Sequence, residues 1–463
     1  MDRRNFLKKS ATVAAAFTVA PYATASTLSQ KKPESLEEDL EDGLNPKQSP
    51  AQQFADEDPE QKPLLSSAPV LQNYAETSMG VAFSVSALAN GFVLLSKSPD
   101  MSGSKKIFSG GFRMTEPTDH VQQIRLTQLH PATTYYYQIG ADRIHYGGGY
   151  DMKILGTEID PKVYSFTTAG AQAQAHFCVL NDTHANYETF GATVKQILSL
   201  APSCVIWNGD ACNVEEKIEN LQQIFITPEQ TDREWAAHIP WLFCPGNHDF
   251  RGWANRHLEQ VWMFRQPEER SNRDWDLGRN FAIRMGDMAL IGLDTGEDKV
   301  DSNPAFAGLF ANQAYRQAQT LWLADALQQP EIKSAPYLIA FCHIPLFDDI
   351  PSQNPGDILP ADYDPQYTTN FAHWQRTCFR LWNPLLSQAG CQLLITAHQH
   401  IYKYHAADAD RSWAQIMGGG PKLDAQEHSA TLIQGYIESD QLQIKVYSVR
   451  TGEVLHQYSF KKR

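Results

Sequence analysis

Long apolar runs are almost missing from this 463-residue chain. Beyond the first 26 residues there is no stretch of about 18 or more apolar residues, so no membrane-spanning helix is expected. Basic clusters are missing too. The 39 Lys and Arg are outnumbered by 53 Asp and Glu, giving a formal net charge of −14. No positive patch offers a polyanion a footprint, and nucleic acid is not expected as a stable partner. No cysteine precedes Cys178, so no lipid anchor on an N-terminal cysteine is expected. The seven that follow, at 178, 204, 212, 244, 342, 378 and 391, are odd in number, and five lie in or against apolar runs. They read as small core residues and not as a disulfide framework. Whether any two pair in an exported protein stays open. No internal repeat occurs.

What the chain does have is five short blocks of metal-ligand residues, each at the end of an apolar run. They are Asp182-Thr183-His184, Gly209-Asp210, Gly246-Asn247-His248-Asp249, His343, and His398-Gln399-His400. The runs before them are His176–Leu180, Cys204–Trp207, Trp241–Cys244, Tyr337–Cys342 and Cys391–Thr396. Apolar runs without alternation suit strands covered on both faces. In open α/β sheets, ligands gather where the chain leaves the carboxyl ends of such strands. Five strand exits thus deliver Asp, Asn and His to one place, which is the composition of a metal site.

The residue types narrow the chemistry. Carboxylate and amide oxygens with imidazole nitrogens suit Zn, Fe, Mn, Co or Ni, not an iron–sulfur cluster or an all-oxygen Ca site. Asp182, His184, Asp210, Asn247, His343, His398 and His400 are too many for one tetrahedral ion and about right for two ions sharing a carboxylate. Such a pair clamps a phosphoryl group, lowers the pKa of a bridging water and stabilises charge on the leaving oxygen. His248 is then spare. Beside such a centre, held by a neighbouring carboxylate, it is placed to protonate a leaving alkoxide, and His248 and Asp249 are the expected catalytic residues. Singly, each block has an ordinary structural explanation, such as a turn or a core histidine. Together, in one order and one strand context, they do not.

The series D-x-H, G-D, G-N-H-D, H and H-x-H resembles the calcineurin-like metallophosphoesterase superfamily, from about Phe177 to Tyr402. The resemblance implies one metal on Asp182, His184 and His400, a second on Asn247, His343 and His398, and Asp210 bridging both. It makes His248 the catalytic histidine. Gln319-Thr320-Leu321-Trp322-Leu323, on an amphipathic helical pattern, is similar to that family's helix before the His343 strand. One departure is that the usual G-H-x-H is here Ala397-His398-Gln399-His400. If the glycine serves a positive φ, alanine is costly there; if it serves closeness, alanine fits.

Residues 65–169 form a second compositional unit of short strands. Val81–Ser86 alternates, Asn90-Gly91 is a tight-turn signal, and Gly91–Leu95 is expected as the partner strand of a hairpin. Val121, Ile124, Leu126 and Leu129 mark a further strand, and Tyr164–Thr168 a closing one. Leu129-His130-Pro131-Ala132-Thr133-Thr134-Tyr135 resembles the L-x-P-x-T-x-Y signature of fibronectin type III domains, whose tyrosine braces a corner. A fibronectin-like sandwich ahead of a metallophosphatase domain is similar to the layout of purple acid phosphatases. That family places an iron-binding tyrosine three residues after the aspartate of the G-D block, where this chain has Asn213. No iron–tyrosinate colour is therefore expected.

Arg3-Arg4-Asn5-Phe6-Leu7-Lys8, a modest apolar stretch and Ala23-Thr24-Ala25 make residues 1–26 resemble a twin-arginine signal peptide. The protein is accordingly expected in the periplasm or secreted. Residues 27–64 hold ten acidic residues against four lysines and little that packs, the composition of a disordered linker. The expected organisation is signal 1–26, linker 27–64, fibronectin III-like β-sandwich 65–169, and α/β metallophosphatase domain 175–463. The last would have two mixed β-sheets packed together and flanked by helices, with Thr431–Tyr436 and Leu442–Val449 finishing its second sheet. Gly418-Gly419-Gly420 reads as a turn near the site.

The expected activity is hydrolysis of phosphomonoesters, as in an acid phosphatase, by direct attack of a metal-bridging hydroxide with no phospho-enzyme. Its cofactors would be two divalent or trivalent ions (Fe, Zn or Mn), and its partner a small phosphorylated substrate. Two other readings stay open: a phosphodiesterase acting on nucleotides or lipid headgroups, and a surface binding protein with a structural metal site. Arg251, Arg256 and His257 read equally as substrate contacts and as surface charges. The loops after His248 and between Asp348 and Gln375 are expected to shape the pocket. Substrate, metal identity and oligomeric state are not fixed by these residues.

Overall fold

The computed structural model describes residues 62–108, 120–148, 150–264, 275–299, 301–348 and 370–463. The segment read as a signal, most of the acidic linker and most of the loop between Asp348 and Gln375 lie outside the described residues.

The N-terminal region is β-rich, as its short alternating runs require. Its strands are β1 (Val70–Gln72), β2 (Met79–Ser84), β3 (Ala89–Ser96), β4 (Lys105–Phe108), β5 (Val121–Leu126), β6 (Thr134–Gly148), β7 (Asp151–Ile159) and β8 (Tyr164–Thr167). The hairpin expected around Asn90-Gly91 does not form. Both residues lie inside β3, and β2 and β3 belong to different sheets. Gly91 is needed for closeness instead: its N–H donates to Gln122 Oε1 at 2.7 Å, and a Cβ there would fall 2.7 Å from that of Gln122. At the other end of the region, the Tyr135 hydroxyl accepts from the His130 backbone N–H at 2.9 Å, the geometry of a corner brace.

The rest is α/β with mixed sheets. Parallel strands β9 (His176–Leu180), β10 (Cys204–Trp207) and β11 (Trp241–Phe243) sit at the middle of a nine-stranded sheet. On one flank it continues through the antiparallel hairpins of Thr431–Glu438, Gln441–Ser448 and Val454–Phe460. On the other it continues through β1, β2 and β5, with Gln72 paired in parallel to Trp241. Three strands of the N-terminal β-rich region therefore extend this sheet, and the interval between residues 169 and 175 is not a break in it. Tyr137 ties the same seam by donating from its hydroxyl to Ala237 O at 2.7 Å.

The second, six-stranded sheet has Met288–Leu293, Tyr337–Cys342, Leu393–Thr396 and Ala414–Met417 parallel at its centre. The two sheets face each other across an apolar core that includes Phe177, Ile206, Leu290, Phe341, Ile395 and Ile444. Phe177 and Phe341 meet edge to face at 5.6 Å across it. Helices cover both outer faces. Helix α1 (Tyr187–Leu200) starts where Asn186 accepts from the Thr189 N–H, and it buries Phe190, Val194 and Ile197 at i, i+4 and i+7. On the far side, α2 (Asn312–Ala326) buries Ala318, Trp322, Leu323 and Ala326 against the six-stranded sheet. All seven cysteines are free and buried. Among the described residues no helix is long and apolar enough to cross a membrane.

Candidate metal centre

The ligand candidates sit just beyond strand ends. Asp182 and His184 follow β9, Asp210 follows β10, and Asn247 follows β11, all from the nine-stranded sheet. His343, His398 and His400 leave the six-stranded sheet after Cys342 and Thr396. To aim side chains inward so soon after a strand, the backbone must reverse sharply. Asp182 (φ 47°), His184 (46°), Asp210 (51°), His398 (74°) and His400 (58°) all occupy the left-handed region. That conformation costs a non-glycine residue roughly 1–2 kcal/mol and collects at functional sites. Ala397, in place of the usual glycine, is fully buried and is not among the residues with positive φ. The glycine of the resemblance is not needed for its conformation here. The reversal falls on the histidines instead.

These turns bring two groups of ligand atoms together, Asp182, His184, Asp210 and His400 in one and Asp210, His343 and His398 in the other, each within 4.8 Å. His400 Nε2 stands 3.2 Å from Asp182 Oδ1 and 3.0 Å from His184 Nε2. His343 Nε2 lies 3.1 Å from Asp210 Oδ2, which is 3.6 Å from His184 Nε2. Asn247 joins the second group, its Oδ1 2.9 Å from His398 Nδ1. Asp210 is common to both, the arrangement of a binuclear site.

The donors fit cations. Two ring nitrogens directed at each other, as in His184 and His400, need a shared electrophile or a proton between them. Asp182 Oδ1 and His343 Nε2 are fully buried and make no hydrogen bond, although buried polar atoms ordinarily find a partner. Charge tells the same story. Burial alone would push His343 down, but Asp210 and Asp182 outweigh it and lift the imidazole to about 10. The adjacent Asp182 carboxylate raises His400 as well. Burial works to raise Asp182 and Asp210, yet the facing histidines hold both below the usual carboxylate range. His398, buried and facing His343, is pushed down to about 4. A pocket whose carboxylates draw protons onto neighbouring histidines is one that cations of higher charge would occupy in their place.

The surrounding residues fix the ligands. His343 Nδ1 meets Asn208 O at 2.9 Å, which leaves Nε2 for the centre. Asn213 does the same for His184, its Oδ1 3.0 Å from Nδ1 while its amide donates to His184 O at 2.8 Å. The residue that stands where the resemblance expects a tyrosine ligand is therefore a brace behind a histidine. Gly418 packs on Asn181, whose amide donates to Asp182 Oδ2 at 2.7 Å; any Cβ at Gly418 would overlap it. The glycine turn thus lies directly behind a ligand.

His248 and Asp249 separate. The His248 ring meets that of His184 edge to face at 4.8 Å, and its backbone N–H donates to Asp210 Oδ1 at 2.9 Å. Asp249, expected as a catalytic partner, does not reach it. Its buried carboxylate accepts from the N–H groups of Asp210 (2.8 Å), Gly246 (2.7 Å) and Cys212 (3.0 Å). Burial and the Asp210 charge raise its carboxyl to about 7, against three donors that favour the ionised form. Its contacts make it a positioning residue. The group on His248 Nε2 is Arg251, whose Nη1 is 2.9 Å away. Arg251 in turn grips Glu297 with Nε (2.9 Å) and Nη2 (2.6 Å). Neither Asn208 nor the Glu297–Asp298 pair was singled out from sequence. Asp294–Asp298 follows the apolar run Met288–Leu293, so it is a sixth strand exit with the same signal as the other five. Arg256 lies over the Phe310 ring, not at the ligands.

Residues 175–402 match the family model for the calcineurin-like phosphoesterase, and this part of the chain is a domain of that kind. The fold is shared with a purple acid phosphatase from yellow lupin (Lupinus luteus) seeds, at TM-score 0.57 and 14% identity, over 86% of this chain and 75% of that one. A Plasmodium protein, GAP50, described as the anchor in the inner membrane complex, aligns with TM-score 0.41 and 14% identity over 63% of this chain and 90% of that one. No curated protein sequence matches the chain.

Proposed function

We propose that the protein is an exported, dimetal phosphoesterase that hydrolyses phosphomonoesters. The observation that carries this is the convergence of two ligand groups on one shared carboxylate, Asp210, with His248 against their edge. In this reading Asp182, His184 and His400 hold one ion, Asn247, His343 and His398 the other, and Asp210 both. When bound, the ions supply an activated water and neutralise charge on the phosphoryl oxygens. The chain's own part is positional. Asn208, Asn213 and Asn181 hold ligands in one orientation, and Asp249 holds the turn that carries Asp210. Water-derived oxygen would attack phosphorus in line with the departing oxygen as His248 protonates the latter, with no phospho-enzyme, so the displacement is single and inverts configuration at phosphorus.

Export rests on the Arg3-Arg4 segment with its apolar core, and the fibronectin-like reading of residues 65–169 rests on the Tyr135 brace. The test is hydrolysis of a nitrophenyl monoester and its bis-ester by the metal-loaded protein, beside Asp210→Ala. Monoester turnover that vanishes in the variant supports the reading; turnover that survives refutes the site. Inactivity with two metals bound would make this a binding protein.

A further inference from the structure

One arginine stands between the spare histidine and a pair of buried acids. Arg251 has five N–H donors in a rigid fork. Glu297 takes two of them bidentately, and Asp298 Oδ1 accepts another from Nη2 at 3.1 Å. A fourth, on Nη1, is directed at His248 Nε2. One N–H remains on that same nitrogen. The guanidinium is held from behind: Glu297 is fully buried, and the backbone carrying it is pinned by Arg316 of α2, which donates to Glu297 O at 2.6 Å. The Arg251 side chain is still 22% exposed. A buried acid gripping a part-exposed arginine, aimed past the general acid, is a presented cation. A mere surface charge has no such support.

We propose that Arg251 is the phosphoryl-recognition residue of this centre and makes it selective for a terminal phosphoryl group. The inference rests on the phosphoesterase reading given above. A phosphomonoester carries three non-bridging oxygens, and a diester replaces one with an ester oxygen, a much poorer acceptor. The oxygen that meets Arg251 Nη1, next to the departing oxygen served by His248, is anionic in a monoester and is the position where a diester would carry its second ester group. The Nη1 edge, with Asp298 and Glu297 fixing its direction, rewards the anion. Lys299 pairs with Asp298 at 2.7 Å, so the cluster as a whole is close to neutral. Recognition therefore comes from directed donors and not from excess positive charge.

The experiment compares wild type, Arg251→Ala and Glu297→Gln as metal-loaded proteins. It measures KM and kcat for a nitrophenyl monoester and its bis-ester, and the inhibition constant and calorimetric affinity of inorganic phosphate. Loss of a charge-assisted contact is expected to raise the monoester KM and weaken phosphate binding by roughly 10–100-fold in Arg251→Ala. Diester kcat/KM should fall at least about tenfold less. Glu297→Gln should move the same way by a smaller factor, with metal content unchanged in both. Equal losses on both substrates with phosphate affinity intact would reduce Arg251 to a support for His248 and overturn the proposal. A wild type active on the diester alone overturns it too. A wild type inactive on both, with two metals bound, refutes the phosphoesterase reading. In that case unaltered phosphate binding by Arg251→Ala would refute the arginine assignment separately.

Discussion

Asp249→Asn is the substitution that best separates a positioning carboxylate from a proton-transferring one. The Asp249 side chain is completely buried and collects three backbone N–H groups from two turns that also carry Asp210 and Asn247. Hydrogen bonds to a charged group are worth about 1.5–3 kcal/mol each. The amide keeps one oxygen, and its NH2 faces at least one N–H that it cannot serve. Part of the gross loss is offset because a buried carboxylate is itself costly. A net destabilisation of roughly 3–5 kcal/mol is the scale for removing one partner of a buried charged network. Unfolding entropy of about 2 cal/mol/K per residue over the 358 described residues converts 1 kcal/mol to about 1.4 °C, so Tm should drop by roughly 4–7 °C. The Asp210 turn should loosen with it, and the metal content of the purified variant should fall below that of wild type. Mass-spectrometric metal analysis with a calorimetric scan reads both quantities on one sample. Full metal content and an unchanged Tm, combined with lost turnover, would refute this reasoning and return Asp249 to the catalytic role its place in G-N-H-D implies.

His248→Ala should lower turnover by roughly 10²–10⁴-fold and leave the metal content unchanged, as steady-state kinetics beside metal analysis will show. Asn213→Ala removes the brace behind His184 Nδ1 and should weaken metal affinity by roughly 10–100-fold, read by competition with a calibrated chelator; unchanged affinity would mean that Asn213 does not orient the ligand. Metal removal should also change how stability depends on pH. In the metal-free protein His343 is lifted to about 10 by Asp210 and Asp182 despite burial, above its unfolded value near 6.5. Its contribution is fully present below about 6.5 and is lost as pH rises through about 10. The Tm of metal-free protein should therefore decline between about pH 7 and 10 while that of loaded protein does not. Parallel profiles would contradict the assigned role of His343.

Much of the site was legible because metal ligation uses few residue types at strand exits, and all five exits fall where their apolar runs end. The same logic failed where a residue acts through its neighbours. Asp249 beside His248 in sequence is turned away from it in space, because the 3₁₀ turn His248–Phe250 sends adjacent side chains to different sides. Asn90-Gly91 carries a turn signal, but Gln122 from another sheet takes up the space over the glycine, and nothing local announces that contact. The continuity of β1, β2 and β5 with the central sheet is likewise a pairing between residues far apart, Gln72 with Trp241, which no periodicity records. Glu297 and Asp298 were within reach of the strand-exit argument and lacked only a histidine to draw attention.

The placement of the ligands has a consequence for how fold and centre support each other. Asp182, Asp210 and Asn247 come from the nine-stranded sheet; His343, His398 and His400 come from the six-stranded one. The centre therefore lies on the seam between two separately hydrogen-bonded sheets, which pack below it through apolar contacts such as Phe177 on Phe341 and are tied at the far end by the Tyr337 hydroxyl donating to Asp440 O at 2.7 Å. Directional bonds cross at the top. Asn208, leaving β10, donates from its side chain to Cys342 O and Ile395 O at 3.2 Å each and receives His343 Nδ1 on its own carbonyl. Apolar packing sets the distance between the sheets and is tolerant of sliding, whereas these bonds fix register along the seam. A slide of one residue would part His343 from Asp210 and His398 from Asn247 together. The left-handed backbones of five ligands impose strain of several kcal/mol in sum. That strain is sustainable only because strands on both sides hold the turns in place, and cations bridging the two sets of ligands would close the same seam from above.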